Sequence, residues 1–198
     1  MTDPLPNHAQ VVIVGGGVVG CSVAYHLAKL GWTDVLLLER RQLACGTTWH
    51  AAGLIAQLRA SINMTRLARY SQELYGELEA ETGIATGFRR NGSVALALTD
   101  ARMEELRRNA ATARVHGVEV EVVDPSEAAR LHPLVDLEGV VGALHIPLDG
   151  QADPSNITRA LAKGARMRGA RIVEGVKVTG VIRDDARAAG VETERGPI

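Results

Sequence analysis

VVIVGGGVVG, at residues 11–20, specifies the first folding unit of this chain. Four apolar β-branched residues in a row, followed by glycines, predict a strand at Val11–Val14 that is buried on both faces. A helix is predicted over residues 18–30, and residues 35–38 form a second buried strand that ends at Glu39. Strand, helix and strand in this order predict a parallel sheet with a right-handed crossover. We therefore expect an α/β fold.

The glycine-rich turn between the first strand and the helix matches G-x-G-x-x-G, in the strand-to-helix context that this motif requires. Gly15 allows a tight turn, Gly17 lets a pyrophosphate approach the backbone, and Gly20 lets the helix pack close to the strand. The N-terminus of the helix presents unpaired N–H groups and partial positive charge to the phosphates. The alternative is that this turn is only a flexible loop.

Glu39 ends the second predicted strand, 19 positions after Gly20. A carboxylate at this place accepts hydrogen bonds from both ribose hydroxyls of an adenosine and repels a 2′-phosphate, which disfavours NADP. The alternative is that Glu39 is a solvated residue at the end of a strand. The motif alone does not discriminate between FAD and NAD.

Charge and composition exclude several classes of protein. The 198 residues include 22 basic and 23 acidic side chains, with two Trp, three Tyr and one Phe, which argues against a nucleic-acid partner. No apolar run approaches the roughly 18 residues of a membrane span. The polar start at residues 1–10 predicts neither a signal peptide nor a transit peptide. Two cysteines, Cys21 and Cys45, indicate no disulfide framework and no metal site, so we expect a reducing, cytoplasmic location.

Residues 60–148 show a different pattern, which combines hairpin signals with amphipathic helices. Asn91-Gly92 predicts a hairpin turn that leads into a strand at residues 93–98, and Asp149-Gly150 predicts another turn. Asp100 is predicted to cap a helix. This segment is expected to form a second, antiparallel layer inserted into the first.

The loop after Glu39 is the second informative segment. CGTTWHAAGL, at residues 45–54, is small, hydroxylated and glycine-rich, whereas in a simple NAD dehydrogenase the chain continues here to another crossover. Such a segment can lie along an extended dinucleotide and offer it N–H groups and threonine hydroxyls. Ala51, Ala52 and Gly53 leave room for a large planar ring.

The sequence resembles the flavoproteins of the D-amino-acid-oxidase type, and among them sarcosine dehydrogenase, dimethylglycine dehydrogenase and dimethylglycine oxidase. T-W-H-A-A-G, at residues 48–53, is the specific part of this resemblance, and the glycine fingerprint is the generic part. The matching segments extend over nearly the whole chain: 11–20, 36–40, 46–54, 79–83, 91–93, 145–154 and 176–180.

The resemblance implies a Rossmann-like FAD-binding doubly wound sheet with part of an inserted antiparallel substrate-domain layer. Residues 1–58 would form the first part of the FAD-binding domain, residues 59–148 a partial substrate or cap layer, and residues 149–198 a second, incomplete FAD-binding part. A doubly wound domain needs at least one more central strand, and members of this family are several times longer. We therefore expect the N-terminal part of a longer protein, or a truncated reading frame.

The histidine of the T-W-H-A-A-G segment is bonded in this family through a ring nitrogen to the 8α-methyl carbon of FAD. The resemblance therefore implies covalent attachment at His50, and a neutral imidazole is nucleophilic near pH 7. The alternative is a hydrogen-bonded loop histidine beside a non-covalent flavin. The resemblance further implies FAD contacts by Val18, Val19, Glu39, Arg40, Thr47, Thr48, Trp49 and Leu54, and by the backbone of Val178 with the adenine.

The activity that the resemblance implies is oxidation of a secondary or tertiary N-methyl amine, such as sarcosine or dimethylglycine, by hydride transfer to FAD. The electron acceptor would be oxygen or an electron-transfer flavoprotein. Tetrahydrofolate would bind only in a C-terminal region that this sequence lacks. No catalytic acid or base is identified, and neither a metal nor a membrane partner is predicted.

Three alternatives remain open. The first is another flavoenzyme of the same architecture, which oxidises glycine or proline with non-covalent FAD. The second is an inactive dinucleotide-binding remnant or binding module. The third is an NAD-binding module, which the loop at residues 47–53 disfavours.

Overall fold

The computed structural model describes residues 5–198, so the first four residues of the predicted polar start lie outside the described part of the chain. The described residues form two compact units. Unit 1 comprises residues 5–52, Glu77–Gly87 and Asp153–Ile198, and unit 2 comprises Gly53–Gly76 and Phe88–Ala152. The domain assignment made from the sequence, with boundaries after residues 58 and 148, stays a prediction.

Helices and strands alternate through most of the chain, and residues 171–197 hold four consecutive strands. In chain order they are β1 (Val11–Val14), α1 (Val18–Lys29), β2 (Val35–Glu39), a 3-10 turn (Thr47–His50), β3 (Leu54–Ile55), α2 (Ile62–Thr82), β4 (Ser93–Ala97), α3 (Asp100–Val115), β5 (Glu121–Val123), α4 (Pro125–Leu131), β6 (Gly142–Ile146), β7 (Gly150–Gln151), α5 (Pro154–Met167), β8 (Arg171–Glu174), β9 (Val178–Asp184), β10 (Arg187–Thr193) and β11 (Gly196–Pro197).

Unit 1 is built on a parallel sheet in the order β1-β2-β8. Val11 pairs with Val35, and Leu36 pairs with Arg171, so β2 lies between its two neighbours. All five residues of β2 are buried, as expected for a parallel strand that is covered on both faces. The predicted α/β fold and its first strand–helix–strand unit are confirmed. The prediction that β1 is buried on both faces is wrong: Val11–Ile13 are half-buried and Val14 is exposed, because β1 is the end strand of the sheet order β1-β2-β8.

Helices α1 and α5 of unit 1 approach each other closely. A Cβ on Gly164 in α5 would lie 2.7 Å from the ring of Tyr25 in α1, so glycine makes room for the aromatic ring. The Tyr25 hydroxyl donates to one carboxylate oxygen of Glu81 at 2.7 Å, and Arg168 donates to the other at 2.6 Å. These bonds attach the C-terminal end of α2, which belongs to unit 1, to the helix pair.

A smaller antiparallel sheet in unit 1 has the order β11-β10-β9. Its Val191 is buried in one apolar cluster with Leu36 and Leu38 of β2 and with Val176. The half-buried Val178 packs against the same cluster. Shared burial of these side chains holds the small sheet against the parallel one.

Unit 2 is built on an antiparallel sheet in the order β4-β6-β5, and β3 pairs separately with β7. Helix α3 packs on the three-stranded sheet with four buried side chains along one face, as its amphipathic spacing predicts. The predicted antiparallel layer is confirmed. Its apolar core consists of Ala97, Met103, Leu106, Ala110, Ala113, Val118, Val120, Leu144 and Ile146.

Two local predictions in unit 2 are wrong. Asn91-Gly92 does not reverse the chain, because Arg89 before it and Ser93 after it both pair with the same antiparallel segment, at Gln151 and Ile146. The N-cap of α3 is Thr99, whose hydroxyl accepts a hydrogen bond from the Arg102 N–H at 3.2 Å, and Asp100 is the first helical residue. Local residue preferences therefore determine neither whether the chain reverses at a turn sequence nor which of two adjacent residues caps a helix.

Candidate functional site

A pocket of about 570 Å³ lies at the carboxyl ends of β1 and β2 in unit 1. Its volume is within the range of roughly 300–1,000 Å³ that is usual for small-molecule sites, and ligands of open parallel sheets bind at this edge. The glycine turn, the end of β2 and the loop that follows line it. The lining residues are Gly15, Gly17, Val18, Val19, Glu39, Arg40, Arg41, Cys45, Gly46, Thr47, Thr48 and Ala51.

Each of the three glycines of the motif is required for a different structural reason. Gly15 has a φ of 106°, a conformation that side-chain-bearing residues rarely adopt. A Cβ on Gly20 would collide with the carbonyl oxygen of Gly15. Gly17 is the N-cap of α1 and faces the pocket, where the first N–H groups of the helix have no intrahelical acceptor. The turn therefore has the shape that binding of a phosphate group requires.

Glu39 is buried beneath this turn, with 8% of its surface exposed. One carboxylate oxygen accepts a hydrogen bond from the Gly16 N–H at 2.7 Å, and the other accepts one from the Arg41 N–H at 2.9 Å. The alternative interpretation of Glu39 as a solvated strand end is therefore wrong. The oxygen bonded to Arg41 also accepts the Cys45 thiol at 3.9 Å, so the oxygen bonded to Gly16 is the one that keeps the capacity for a further hydrogen bond, because a carboxylate has about four acceptor sites.

Thr48 attaches the loop after β2 to helix α1. Its hydroxyl accepts a hydrogen bond from the Val18 N–H at 3.1 Å. Gly17 leaves room for this contact, since a Cβ there would lie 3.1 Å from the same hydroxyl. The side chain that caps α1 is thus supplied from 30 positions later in the chain.

Trp49 and His50 are exposed and are not among the residues that line the pocket. Their ring centroids are 4.0 Å apart with an interplanar angle of 34°. Both belong to the 3-10 turn that Thr48 attaches to α1. The turn ends next to Ala51, which lines the pocket.

The structure brings most of the predicted site residues together. Eight of them line the pocket: Gly15, Gly17, Val18, Val19, Glu39, Arg40, Thr47 and Thr48. Gly20, Trp49, His50 and Val178 belong to unit 1 but do not line it, and Leu54 belongs to β3 in unit 2.

Four lining residues were not among the predicted site residues. Cys45, Gly46 and Ala51 belong to the loop that the sequence singled out, so their position was accessible to prediction. Arg41 carried no signal beyond its adjacency to Arg40, and only the folded structure places it at the pocket.

The two cysteines differ in environment. Burial raises the pKa of the Cys21 thiol to about 12, so this thiol is neutral at physiological pH. Cys45 is exposed and lines the pocket, with its thiol 3.9 Å from the Glu39 carboxylate. Both cysteines are free.

Two further properties concern residues 5–198 as a whole. No three His, Cys, Asp or Glu side chains in this range are grouped so that they could hold a metal ion. None of the helices within it combines the length and the apolar character that crossing a bilayer requires.

The fold and the pocket define an α/β protein with a dinucleotide-type cradle at the edge of a parallel sheet. The DAO family of FAD dependent oxidoreductases matches residues 10–198, and the chain belongs to this family. The resemblance to flavoproteins of the D-amino-acid-oxidase type is therefore confirmed, and FAD is the cofactor of the family.

Three relatives are similar to almost the whole of this chain. Human mitochondrial sarcosine dehydrogenase is 44% identical over 201 residues, which cover 98% of this chain and 22% of that protein. The mitochondrial regulatory subunit of pyruvate dehydrogenase phosphatase from Mus musculus is 42% identical, with coverage of 98% and 22%. The formaldehyde-forming 4-methylaminobutanoate oxidase of Paenarthrobacter nicotinovorans is 43% identical, with coverage of 98% and 24%. The chain thus spans less than a quarter of each relative.

Solved structures of flavoenzymes share the fold. L-proline dehydrogenase from P. horikoshii superimposes with a TM-score of 0.92 at 32% identity, over 98% of this chain and 51% of that chain. Glycine oxidase from Bacillus cereus superimposes with a TM-score of 0.83 at 28% identity, over 96% of this chain and 53% of that chain.

Proposed function

We propose that this chain is the FAD-binding part of an oxidoreductase that acts on a secondary or tertiary N-methyl amine of the sarcosine or dimethylglycine type. The observation that carries the proposal is the 44% identity to human sarcosine dehydrogenase over 98% of the chain. The oxidase from Paenarthrobacter nicotinovorans supports the same substrate class, because 4-methylaminobutanoate is also an N-methyl amine.

The pocket residues fit the adenosine and pyrophosphate portions of FAD. Gly15 and Gly17 leave the backbone uncovered, and the N–H groups in the first turn of α1 other than that of Val18, which Thr48 accepts, would stabilise the pyrophosphate. Glu39 would accept a hydrogen bond from a ribose hydroxyl with its remaining acceptor capacity. Val18 and Val19 add apolar surface to the wall of the pocket, where a bound nucleotide would exclude water.

When bound, the flavin supplies the acceptor for the electrons and hydrogen that leave the methyl carbon of the amine. The residues of this chain hold and orient its nucleotide end. The carbon that is oxidised would be released as formaldehyde after hydrolysis. The electron acceptor in the proposal is oxygen or an electron-transfer flavoprotein.

Covalent attachment of FAD at His50 is the finer part of the proposal. Support comes from the exposed imidazole, which lies between the pocket residues Thr48 and Ala51 in the sequence. The neighbouring ring of Trp49, 4.0 Å away, would restrict the orientation of the imidazole. The bond would fix the flavin to the 3-10 turn, which Thr48 already attaches to α1.

The cellular location stays a prediction. Two free cysteines agree with a reducing compartment such as the cytoplasm. Human sarcosine dehydrogenase and the murine regulatory subunit are named as mitochondrial proteins. Fractionation of cells that express the protein, followed by immunodetection, would decide between these locations.

Two other functions have specific support. Glycine or proline oxidation with non-covalent FAD is supported by the superposition on L-proline dehydrogenase, with its TM-score of 0.92. A role without catalysis is supported by the murine relative, which is named as a regulatory subunit. Substrate specificity and the state of the flavin separate all three functions.

The test is an absorption spectrum of the purified protein before and after acid precipitation. We expect a flavin spectrum, flavin retained in the precipitate, and formaldehyde release from sarcosine or dimethylglycine. His50→Ala should move the flavin to the supernatant, whereas His132→Ala, a change at an exposed histidine of unit 2, should not. Turnover of proline or glycine alone would favour the second function, and protein without flavin would favour the third.

A further inference from the structure

Glu39 connects two segments that follow different strands of the parallel sheet. Its carboxylate accepts the N–H of Gly16, in the turn after β1, at 2.7 Å, and the N–H of Arg41, just after β2, at 2.9 Å. The carbonyl oxygen of Gly16 accepts the N–H of Ala44 at 2.9 Å. Both backbone polar groups of Gly16 are therefore bonded to the segment that begins at Glu39.

Gly16 is packed as tightly as it is bonded. A Cβ at this position would lie 2.6 Å from Leu43 Cδ2 and 2.9 Å from Glu39 Cβ. Gly16 occupies a variable position of the G-x-G-x-x-G motif, so the motif does not require glycine there. Contact with a ribose does not require glycine there either. Glycine is required at this position because Glu39 approaches the turn so closely.

We propose that Glu39 is a positioning residue for the phosphate-binding turn, in addition to its contact with the ribose. This inference rests on the proposed function as an FAD-binding chain. The carboxylate holds the Gly16 peptide in place before any ligand is bound. The turn between Gly15 and Val18 is thereby fixed: the N–H groups of Gly15, Gly16 and Val18 are bonded to Leu38, Glu39 and Thr48, and Gly17 is presented to the pocket. Loss of the carboxylate should weaken binding of phosphates that carry no ribose at all.

Electrostatics allows a decisive test, because the two roles of Glu39 predict opposite changes in the affinity for pyrophosphate when the charge is removed. If Glu39 served only the ribose, removal of its negative charge would leave the affinity for inorganic pyrophosphate unchanged or increase it, since like charges repel. If Glu39 organises the turn, the same removal decreases that affinity. Glutamine replaces one of the two carboxylate oxygens by an NH2 donor, so either the Gly16 or the Arg41 N–H loses its acceptor and faces a donor instead.

The experiment measures dissociation constants of the full chain for inorganic pyrophosphate, ADP and 2′,3′-dideoxy-ADP by calorimetry. We expect Glu39→Gln to weaken pyrophosphate and dideoxy-ADP about tenfold each, and ADP by a larger factor because the ribose contact is lost as well. Glu39→Asp keeps the charge but shortens the side chain, so it should also weaken pyrophosphate. Circular dichroism checks that each variant is folded.

Glu174→Gln is the matched control. Glu174 also accepts a backbone N–H from this region, that of Leu43 at 2.9 Å, but it does not contact Gly16. We expect this variant to bind pyrophosphate within about twofold of the wild type. An equal loss in Glu174→Gln and Glu39→Gln, or unchanged or tighter pyrophosphate binding in Glu39→Gln, would overturn the inference.

Amide hydrogen exchange of the ligand-free protein separates this inference from the proposed function. The Gly16 N–H should exchange at least about tenfold faster in Glu39→Gln than in the wild type or in Glu174→Gln. If the wild type binds none of the three ligands, the proposed function fails, but the exchange rates still decide whether Glu39 positions the turn. Equal exchange rates of the Gly16 N–H in all three proteins would overturn the positioning role of Glu39.

Discussion

Unit 1 and unit 2 each contain a buried carboxylate whose two oxygens accept hydrogen bonds. In unit 1, Glu39 bonds to the N–H groups of Gly16 and Arg41. In unit 2, Asp149 accepts the Gln57 N–H at 2.8 Å and the Ser93 hydroxyl at 2.6 Å. Asp149 is 1% exposed, whereas Glu39 borders a pocket of about 570 Å³.

Burial and full hydrogen bonding do not by themselves mark a binding residue. Asp149 links three segments of unit 2 and faces only protein, which is the arrangement of a structural residue. Glu39 performs a similar linkage but also faces space that a ligand could occupy. The difference lies in what borders the carboxylate, and variants of the two residues should separate stability from ligand affinity.

The largest effect is expected at Asp149. Asp149→Ala would leave the Gln57 N–H and the Ser93 hydroxyl without their acceptor in a buried place, at about 1–3 kcal/mol for each group. We expect the free energy of unfolding in urea to fall by about 2–4 kcal/mol, and Asp149→Asn to recover part of this loss. Pyrophosphate affinity of the folded protein should not change.

Asp136→Ala is the control for this prediction. Asp136 also accepts a backbone N–H, that of Glu138 at 3.0 Å, but the bond lies in an exposed part of unit 2. The stability of this variant should stay within about 0.5 kcal/mol of the wild type. Equal losses in the two variants would mean that burial of Asp149 contributes nothing to its effect.

An intermediate effect is expected at Gly16, which contacts Glu39 next to the pocket of unit 1. Gly16→Ala would force Leu43 and Glu39 apart, and overpacking of this kind costs about 1–3 kcal/mol. We expect both the free energy of unfolding and the ADP affinity to decrease, since the turn and the carboxylate shift together. Urea unfolding and calorimetry measure the two quantities.

Gly76→Ala tests the steric explanation with the same substitution at a glycine that has room for a Cβ. Gly76 lies inside α2, and a Cβ added to it would lie 3.6 Å from the ring of Phe88, an ordinary van der Waals distance. Because alanine favours a helix interior over glycine, the free energy of unfolding should stay unchanged or rise by up to about 1 kcal/mol. A Gly16→Ala protein as stable as Gly76→Ala would show that the turn relaxes without strain.

The strand–helix–strand unit and the role of its glycines were accessible from the sequence, because their signals are local. An apolar β-branched run followed by glycines determines β1 and the turn within about ten residues. Glu39 was accessible for the same reason, since its distance from the motif follows from one crossover helix.

The sequence did not reveal contacts whose partners come from distant segments. Asp149-Gly150 predicts a turn by local preference, yet the carboxylate of Asp149 bonds to residues 56 and 92 positions away. Asn91-Gly92 failed for a related reason: the φ of 75° at Gly92 favours glycine, as a turn does, but the chain continues in the same direction, and a Cβ would also lie 2.9 Å from His145 Nε2. Pairing between distant segments decides the path of the chain at these residues.

The smallest effect is expected at Glu81, a third doubly bonded carboxylate, whose partners are the side chains of Tyr25 and Arg168. Burial alone would raise its pKa, but these hydrogen bonds outweigh burial and hold the pKa below the ordinary value of 4.5. Because the folded pKa is the lower one, the stabilisation is present above pH 4.5 and is lost as the pH falls through the folded value.

Glu81→Gln should therefore reduce the free energy of unfolding by about 1 kcal/mol at pH 7, and its difference from the wild type should shrink as the pH falls below 4.5. Glu79→Gln, on an exposed position of the same helix, should leave the free energy of unfolding at pH 7 within about 0.5 kcal/mol of the wild type. Urea unfolding across the pH range measures both. A difference that stays constant with pH would mean that Glu81 acts through packing alone, whereas its hydrogen bonds to Tyr25 and Arg168 require the charged carboxylate for their full strength.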